Sequence, residues 1–204
     1  MPVFTVSPQL FFFVGLAPFA CAGAALLALK RMRGMEISVR REILKWCFTL
    51  YALLALSLTL FPVRFDPSAV YPRFMPELLN LVPLKTIRQI FDIAVNRHYP
   101  MFYRFKAVAL NIGGNLLLLM PLGFFLPVRS RRFRQSWVCA LSAFFVSCSI
   151  ELVQFIETSF CLTSSCTTDV DVVILNVAGA LIGFLIWRLI IAISIPKKNG
   201  RNEI

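Results

Sequence analysis

Five long runs of apolar residues limit what this chain can fold into. They lie near residues 8–29, 44–63, 107–127, 136–156 and 171–195. An α-helix needs about 20 consecutive apolar residues to cross the hydrocarbon layer of a bilayer, and each run has about this length. Hydrophobic residues make up 58% of the 204 residues and charged residues only 15%, which is too apolar for a soluble domain. The sequence therefore predicts an all-α protein, in which residues 1–204 form one polytopic membrane helical bundle of about five transmembrane helices.

The basic residues are concentrated in three segments beside these runs, and this placement predicts the orientation. They are Lys30, Arg31, Arg33, Arg40, Arg41 and Lys45 after the first run, Arg129, Arg131, Arg132 and Arg134 after the third, and Lys197, Lys198 and Arg201 after the fifth. By the positive-inside rule these segments are cytoplasmic, which predicts an outside N-terminus and a cytoplasmic C-terminus. The segment 64–106 is then outside, although it carries basic residues of its own. Because the formal charge of +11 follows from membrane topology, we expect no nucleic-acid partner.

The outer segment contains "LNLVPLKTIRQIFDIAVN" (79–96), in which apolar residues recur at helical spacing. Pro83 suits the first helical position, and Lys85 and Arg88 lie on a different face from the apolar residues. This pattern predicts a short amphipathic helix that lies on the outer membrane face. A helix that only caps the bundle is the alternative.

Polar residues in the third, fourth and fifth runs are expected to meet at one depth. Asn111, Glu151 and Asn176 each lie a few residues inside the predicted outer boundary; Asn115 shares the helix face of Asn111, and Gln154 follows the stripe of Glu151. A carboxyl group that faces lipid costs several kcal/mol, so these side chains should face one another. Such a cluster either only holds helices together or also faces a ligand.

Two pairs of glycine residues add a further expectation. Gly113 and Gly114 in the third run, and Gly179 and Gly183 in a GxxxG pattern in the fifth, predict close helix packing. The Gly179 and Gly183 face is also a candidate for homo-oligomer formation.

Thr168 and Asp171 have capping-box spacing at the start of the fifth helix, and Asp169 and Asp171 would then lie in its first turn, where the helix dipole favours anions. For Asp171, a structural role and a functional role both fit this position.

Cys161 and Cys166 lie in the predicted outer loop "CLTSSC", where an oxidising environment permits a disulfide; two unpaired thiols are the alternative. The only histidine, His98, lies elsewhere in the chain, so the sequence predicts no metal site and no cofactor.

Four motifs resemble those of the VanZ-like bacterial membrane proteins. They are "NLVPLKTI" (80–87), "NIGGNLLLLMPLGFFLP" (111–127), "SIELVQ" (149–154) and "DVDVVILNVAGALIG" (169–183), which together cover about residues 80–190. The motif positions are Asn111, Asn115, Pro121, Gly123, Glu151, Gln154, Asp169, Asp171, Asn176 and Gly179. The resemblance implies a multi-pass protein of the bacterial plasma membrane and, for one branch, resistance to teicoplanin, a lipid-tailed glycopeptide antibiotic.

One position departs from the family pattern. Many members are expected to carry a basic residue shortly before the aspartate pair, where this chain has Cys166 with serine and threonine neighbours. If that base binds an anionic group in the relatives, either Lys85 or Arg88 binds it here or this chain does not bind it.

Three functions follow as hypotheses. The favoured one is the binding of an amphiphile, either a lipoglycopeptide or an envelope lipid, at an outer-leaflet polar cluster that includes Lys85 and Arg88. The second is an intramembrane enzyme that acts on a lipid-linked substrate, with Glu151 as general acid or base and Asp169 or Asp171 as its partner, although the sequence contains no recognisable activated nucleophile. The third is a small transporter subunit; five spans without an internal repeat argue against a self-contained transporter.

Overall fold

The computed structural model describes residues 4–65, 79–160 and 168–194, and most of them are helical. Within these residues, five helices are long and apolar enough to cross a membrane, which confirms the predicted all-α bundle. The helices in chain order are α1 (Pro8–Met32), α2 (Val39–Leu60), α3 (Lys85–Val95), α4 (Met101–Val108), α5 (Gly114–Arg129), α6 (Ser136–Ser159) and α7 (Val170–Ser194). A π-helical turn, Ala109–Gly113, joins α4 to α5, so that Met101–Arg129 forms one span.

Two short strand pairs connect segments that are distant in sequence. β1 (Phe4–Val6) pairs antiparallel with β2 (Val63–Phe65), next to the start of α1 and the end of α2. β3 (Leu79–Asn80) pairs parallel with β4 (Thr168–Asp169), so that Asn80 is opposite Asp169. This second pair brings the segment before α3 against the start of α7.

Some helix ends differ from the predicted boundaries. The third span begins at Met101 and not near residue 107, because its first two turns carry charged residues that an apolar window excludes. The second span ends at Leu60, since Phe61 precedes Pro62 and is extended, as residues before proline usually are. The short amphipathic helix is α3, and it begins at Lys85, two residues after Pro83.

α1 and α2 pack against each other in antiparallel orientation at the side of the bundle. The rings of Phe11 and Phe61 stack 4.3 Å apart at one end, and those of Phe19 and Trp46 meet edge to face at 4.6 Å farther along. None of the residues of α1 is buried, so the outer face of this helix is left for lipid.

α5 and α7 pack in parallel with direct contact between their backbones. A Cβ atom added to Gly179 would overlap the carbonyl oxygen of Leu116, and one added to Gly183 would overlap that of Met120. Gly123 of α5 lies in the same way against the backbone of Ala180. These three glycines therefore have no room for a side chain, and they set the distance between the two helices.

Gly113 and Gly114 do not take part in such packing. A Cβ atom at either position would meet only a carbonyl oxygen of its own helix, at the ordinary distance of 4.0 Å. Both glycines lie where the π-helical turn passes into α5. The close helix packing predicted for this pair is therefore not seen; the glycine that α5 places against α7 is Gly123, about two and a half helical turns later.

α6 packs antiparallel to α7 and completes the core. Leu119 and Leu122 of α5, Ala143 of α6 and Ala180 of α7 form one buried cluster. Cys139 of α6 is fully buried beside a second cluster, and its thiol lies 3.9 Å from the carbonyl oxygen of Gly123. In a regular helix the carbonyl oxygen of Gly123 would accept a hydrogen bond from the N–H of residue 127, but Pro127 has no N–H. The thiol of Cys139 is a weak donor in its place.

We predict that Gly183→Ala destabilises the bundle by about 2 kcal/mol or more, because the added methyl group forces α5 and α7 apart. The thermal unfolding midpoint of the purified protein in detergent measures the effect. Gly114→Ala is the matched control: it adds the same methyl group in a helix with room for it, and it should leave the midpoint unchanged or raise it. Equal midpoints for the two variants would contradict the contact between backbones.

Candidate functional site

Three acidic side chains lie buried at the end of the bundle where α6 ends and where α3 and α7 begin. Glu151 is 4% exposed, Asp169 is 5% exposed and Asp171 is 1% exposed. Burial of a carboxyl group is costly unless hydrogen-bond donors surround it, and here backbone N–H groups are those donors. We call the group formed by Asn80, Glu151, Asp169 and Asp171 the acidic clamp.

Asp171 caps α3 from another part of the chain. Its Oδ2 accepts hydrogen bonds from the backbone N–H of Thr86 at 2.8 Å and of Ile87 at 3.1 Å, and its Oδ1 accepts one from the N–H of Leu84. The first N–H groups of a helix have no partner within the helix, and α3 has no side-chain cap from its own N-cap residue, Leu84. Asp171 therefore fixes where and in which direction α3 begins.

The backbone of Leu84 is held in an unfavourable conformation at this point. Its φ of 65° lies in the left-handed region, which costs a residue other than glycine about 1–2 kcal/mol. Asp171 accepts hydrogen bonds from the backbone N–H groups of Leu84 itself and of Thr86, and these bonds offset that cost. Strained residues of this kind are often found where a segment must be held in one defined position.

Asp169 connects the same two segments a second time. Its Oδ1 accepts hydrogen bonds from the backbone N–H of Asp171 at 2.9 Å and from Nδ2 of Asn80 at 3.0 Å. Nδ2 of Asn80 also donates to the hydroxyl oxygen of Thr86 at 2.9 Å. The bond to the N–H two residues later makes Asp169 the cap of α7, a role that the capping-box spacing had predicted for Thr168.

Glu151 joins α6 to this arrangement. Its Oε2 accepts a hydrogen bond of 2.9 Å from the backbone N–H of Asp169, and the hydroxyl of Thr168 lies 3.5 Å from its carbonyl oxygen. One turn earlier on α6, Ser147 accepts a 2.8 Å hydrogen bond from Nδ2 of Asn176, and both residues are fully buried. Glu151 and Asn176 thus both face the α6–α7 interface, but Asn176 pairs with Ser147, one turn along α6 from Glu151, whereas the sequence predicted that Glu151 and Asn176 lie at one depth.

The other predicted members of the polar cluster lie elsewhere. Nε2 of Gln154 donates to the carbonyl oxygen of Thr59 at 2.8 Å and ties α6 to the end of α2. Asn111 is exposed, and its Nδ2 donates to the carbonyl oxygen of Ala107 at 2.8 Å. Nδ2 of Asn115 donates to the carbonyl oxygen of Asn111 at 2.6 Å.

The π-helical turn explains why Asn111 and Asn115 do not face the other helices. It shifts the hydrogen-bonding register by one residue, so that backbone carbonyls near the turn need other donors. Both asparagine side chains supply such donors to their own helix. The prediction that Asn111 and Asn115 join Glu151 and Asn176 in one cluster is therefore wrong.

Lys85 and Arg88 are exposed at the start of α3, and neither has an ion-pair partner among the residues that the structure describes. Cys161 and Cys166 lie outside the described residues, so the predicted disulfide stays a prediction. In the described part of the chain, no group of three or more histidine, cysteine, aspartate or glutamate side chains is arranged so that it could hold a metal ion.

Sequence reasoning missed Asn80 and Thr86 as members of this site. Both lie in the quoted segment "NLVPLKTI", whose polar residues were the available signal. The acidic clamp accepts hydrogen bonds from backbone N–H groups at all three carboxylates. These hydrogen bonds hold α3, α6 and α7 in fixed relative positions.

The fold and this site define a polytopic membrane protein whose acidic residues fasten a short amphipathic helix to the end of the bundle. A family model described as VanZ/LLP1 matches residues 48–191, from within α2 to near the end of α7. The chain belongs to this family and is a VanZ-like membrane protein of the cell envelope. No curated protein and no solved structure matches it. The match includes the whole acidic clamp and excludes α1.

We predict that Asp171→Asn frees the start of α3. The amide side chain has one acceptor oxygen where the carboxylate has two, and its NH₂ group faces N–H donors, so at least one charge-assisted hydrogen bond is lost. Amide hydrogen exchange at Thr86 and Ile87 should become about tenfold faster or more. Asp92→Asn, the same change at an exposed position of α3, is the control and should leave exchange unchanged. Equal rates in wild type and Asp171→Asn would contradict the cap.

Glu151 offers a test of whether the clamp needs an acceptor or a charge. Glu151→Gln keeps a carbonyl oxygen for the N–H of Asp169, whereas Glu151→Leu leaves that N–H buried without a partner. We expect Glu151→Gln to accumulate in the membrane like the wild type and Glu151→Leu to lose about 1–3 kcal/mol of stability and much of its abundance. Equal losses for both variants would show that the negative charge itself is required.

Proposed function

We propose that this VanZ-like protein binds an amphiphile, and that the ligand lies against the exposed face of α3 and the neighbouring α4. We call this surface the hairpin face; it consists of Lys85, Arg88, Phe91, Val95 and Phe102. The observation that carries the proposal is that a helix with exposed basic and apolar side chains is fastened to the bundle by a buried carboxylate. A fixed amphipathic helix presents the same surface to every ligand.

The exposed residues of α3 include two cations at its beginning and two apolar residues farther along, with Gln89 and Asp92 exposed as well. Arg88, Phe91 and Val95 follow one another at helical spacing, and Phe91 is 56% and Val95 76% exposed. Lys85 and Arg88 lie in the first turn, next to the acidic clamp, while Ile90 is buried and anchors the helix.

α4 extends the apolar end of the hairpin face. Phe102 is 75% exposed, and Met101 and Phe105 beside it are 81% and 71% exposed. Exposed apolar patches of this kind are typical of sites that meet lipid or an apolar ligand. A molecule with a polar or anionic head and an apolar tail fits such a surface, with its head near Lys85 and Arg88 and its tail along Phe91 and Phe102.

In this proposal the acidic clamp positions α3 and does not touch the ligand. The carboxylates of Glu151, Asp169 and Asp171 already accept hydrogen bonds from the protein, whereas Lys85 and Arg88 have no carboxylate partner among the described residues. The family resemblance suggests lipid-tailed glycopeptides such as teicoplanin as ligands. An envelope lipid with the same division between head and tail is the other source of this chemistry.

We predict that expression in a susceptible bacterium lowers sensitivity to teicoplanin and leaves sensitivity to vancomycin, which has no lipid tail, unchanged. The double variant Lys85→Gln/Arg88→Gln should lose the protection, because it removes both cations of the hairpin face. Minimum inhibitory concentrations, measured in strains with equal membrane levels of the protein, give the result.

Arg131→Gln/Arg132→Gln is the matched control, since it removes two exposed cations elsewhere in the chain, just after the C-terminal end of α5. It should protect like the wild type. Unchanged sensitivity to both antibiotics with wild-type protein present at normal levels would contradict the antibiotic-binding form of the proposal. Equal loss of protection in both double variants would contradict the role of the hairpin face.

A further inference from the structure

A cleft of about 850 Å³ lies between α2 and α5 at the end of the bundle away from the acidic clamp. Its residues come from the first half of α2 and the end of α5, and apart from Thr49 they are cations and apolar side chains. The cations are Arg41, Lys45 and Arg129, and the apolar residues are Leu44, Phe48, Phe125, Leu126 and Val128. A volume of this size is in the usual range for ligand sites, about 300–1,000 Å³.

The cations of this cleft have little internal compensation. Nζ of Lys45 and Nζ of Lys30 both bind Oε1 of Glu42, at 2.9 Å and 2.7 Å, so this group of three keeps one net positive charge. Arg41 and Arg129 have no carboxylate partner among the described residues. The mouth of the cleft is therefore positively charged, and arginine binds phosphate oxygens with two parallel hydrogen bonds.

The apolar walls lie on the membrane side of these cations. Arg129 is the last residue of α5 and Arg41 is in the first turn of α2, so both charges are at the ends of helices that are long enough to span a bilayer. Phe48 and Phe125 lie deeper along the same two helices, with their rings edge to face at 5.6 Å. The charges are then at headgroup level and the aromatic rings at acyl-chain level.

The geometry points to a binding site for an anionic phospholipid in this cleft. The phosphate of the lipid lies between Arg41 and Arg129, and the first part of an acyl chain lies against Phe48 and Phe125. A free anion would use only the mouth of the cleft and would leave the apolar walls empty, which is why a lipid fits better. The site is at the opposite end of the bundle from the hairpin face, so it does not depend on the proposed function.

The test is native mass spectrometry of the purified protein after incubation with equal amounts of phosphatidylglycerol and phosphatidylcholine. Wild type should retain phosphatidylglycerol in preference to the zwitterionic lipid. Arg41→Gln/Arg129→Gln should lose this preference, by roughly fivefold for each cation removed. An unchanged thermal midpoint of the variant shows that it is folded; both side chains are exposed, so we expect no change.

One matched variant locates the effect. Arg131→Gln/Arg132→Gln removes the same charge from exposed positions next to the cleft but outside its lining. It should keep the preference of the wild type, and inorganic phosphate should not displace the lipid. The proposal is overturned if wild type has no preference, if the control variant loses it to the same degree, or if inorganic phosphate competes.

Discussion

The contact between the backbones of α5 and α7 is the constraint on which the rest of the structure depends. In a bilayer, lipid chains are as apolar as leucine side chains, so helices gain little from hiding apolar surface from one another. Gly179 and Gly183 replace that missing force with close van der Waals contact along Leu116 and Met120. This contact fixes the depth of α7, and therefore the positions of Asp169 and Asp171 at its start. A change in its register would move both carboxylates away from α3 and from Glu151.

The acidic clamp explains how a membrane bundle holds carboxyl groups that form no ion pair with any described residue. Asp171 lies in the first turn of α7 and accepts hydrogen bonds from the first turn of α3, so two helix N-termini direct their positive ends toward it. Asp169 caps α7, and Glu151 accepts the N–H of Asp169. Backbone donors thus satisfy these carboxylates. The same bonds make α3 part of the bundle and not a loosely attached surface helix.

The sequence predicted what depends on local pattern and missed what depends on distant pairing. The five spans, the small residues of α7 and the common interface of Glu151 and Asn176 follow from apolar length and helical spacing. Asn111 was misplaced because a π-helical turn cannot be read from spacing that assumes a regular helix. The role of Asn80 depends on a parallel strand pair whose partners are 89 residues apart in the chain. No periodicity in a single sequence reports such a pair.

The charged side chains at the two ends of the bundle have different partners, and this difference bears on function. At one end the buried acids are satisfied by the protein's own backbone, and the exposed cations Lys85 and Arg88 of α3 are available to a ligand. At the other end Arg41 and Arg129 face a cleft with apolar walls and have no described carboxylate partner. Cations beside apolar surface at the end of a membrane span favour molecules with an anionic or polar head and an apolar tail. The two proposed sites therefore share one ligand chemistry, that of an amphiphile.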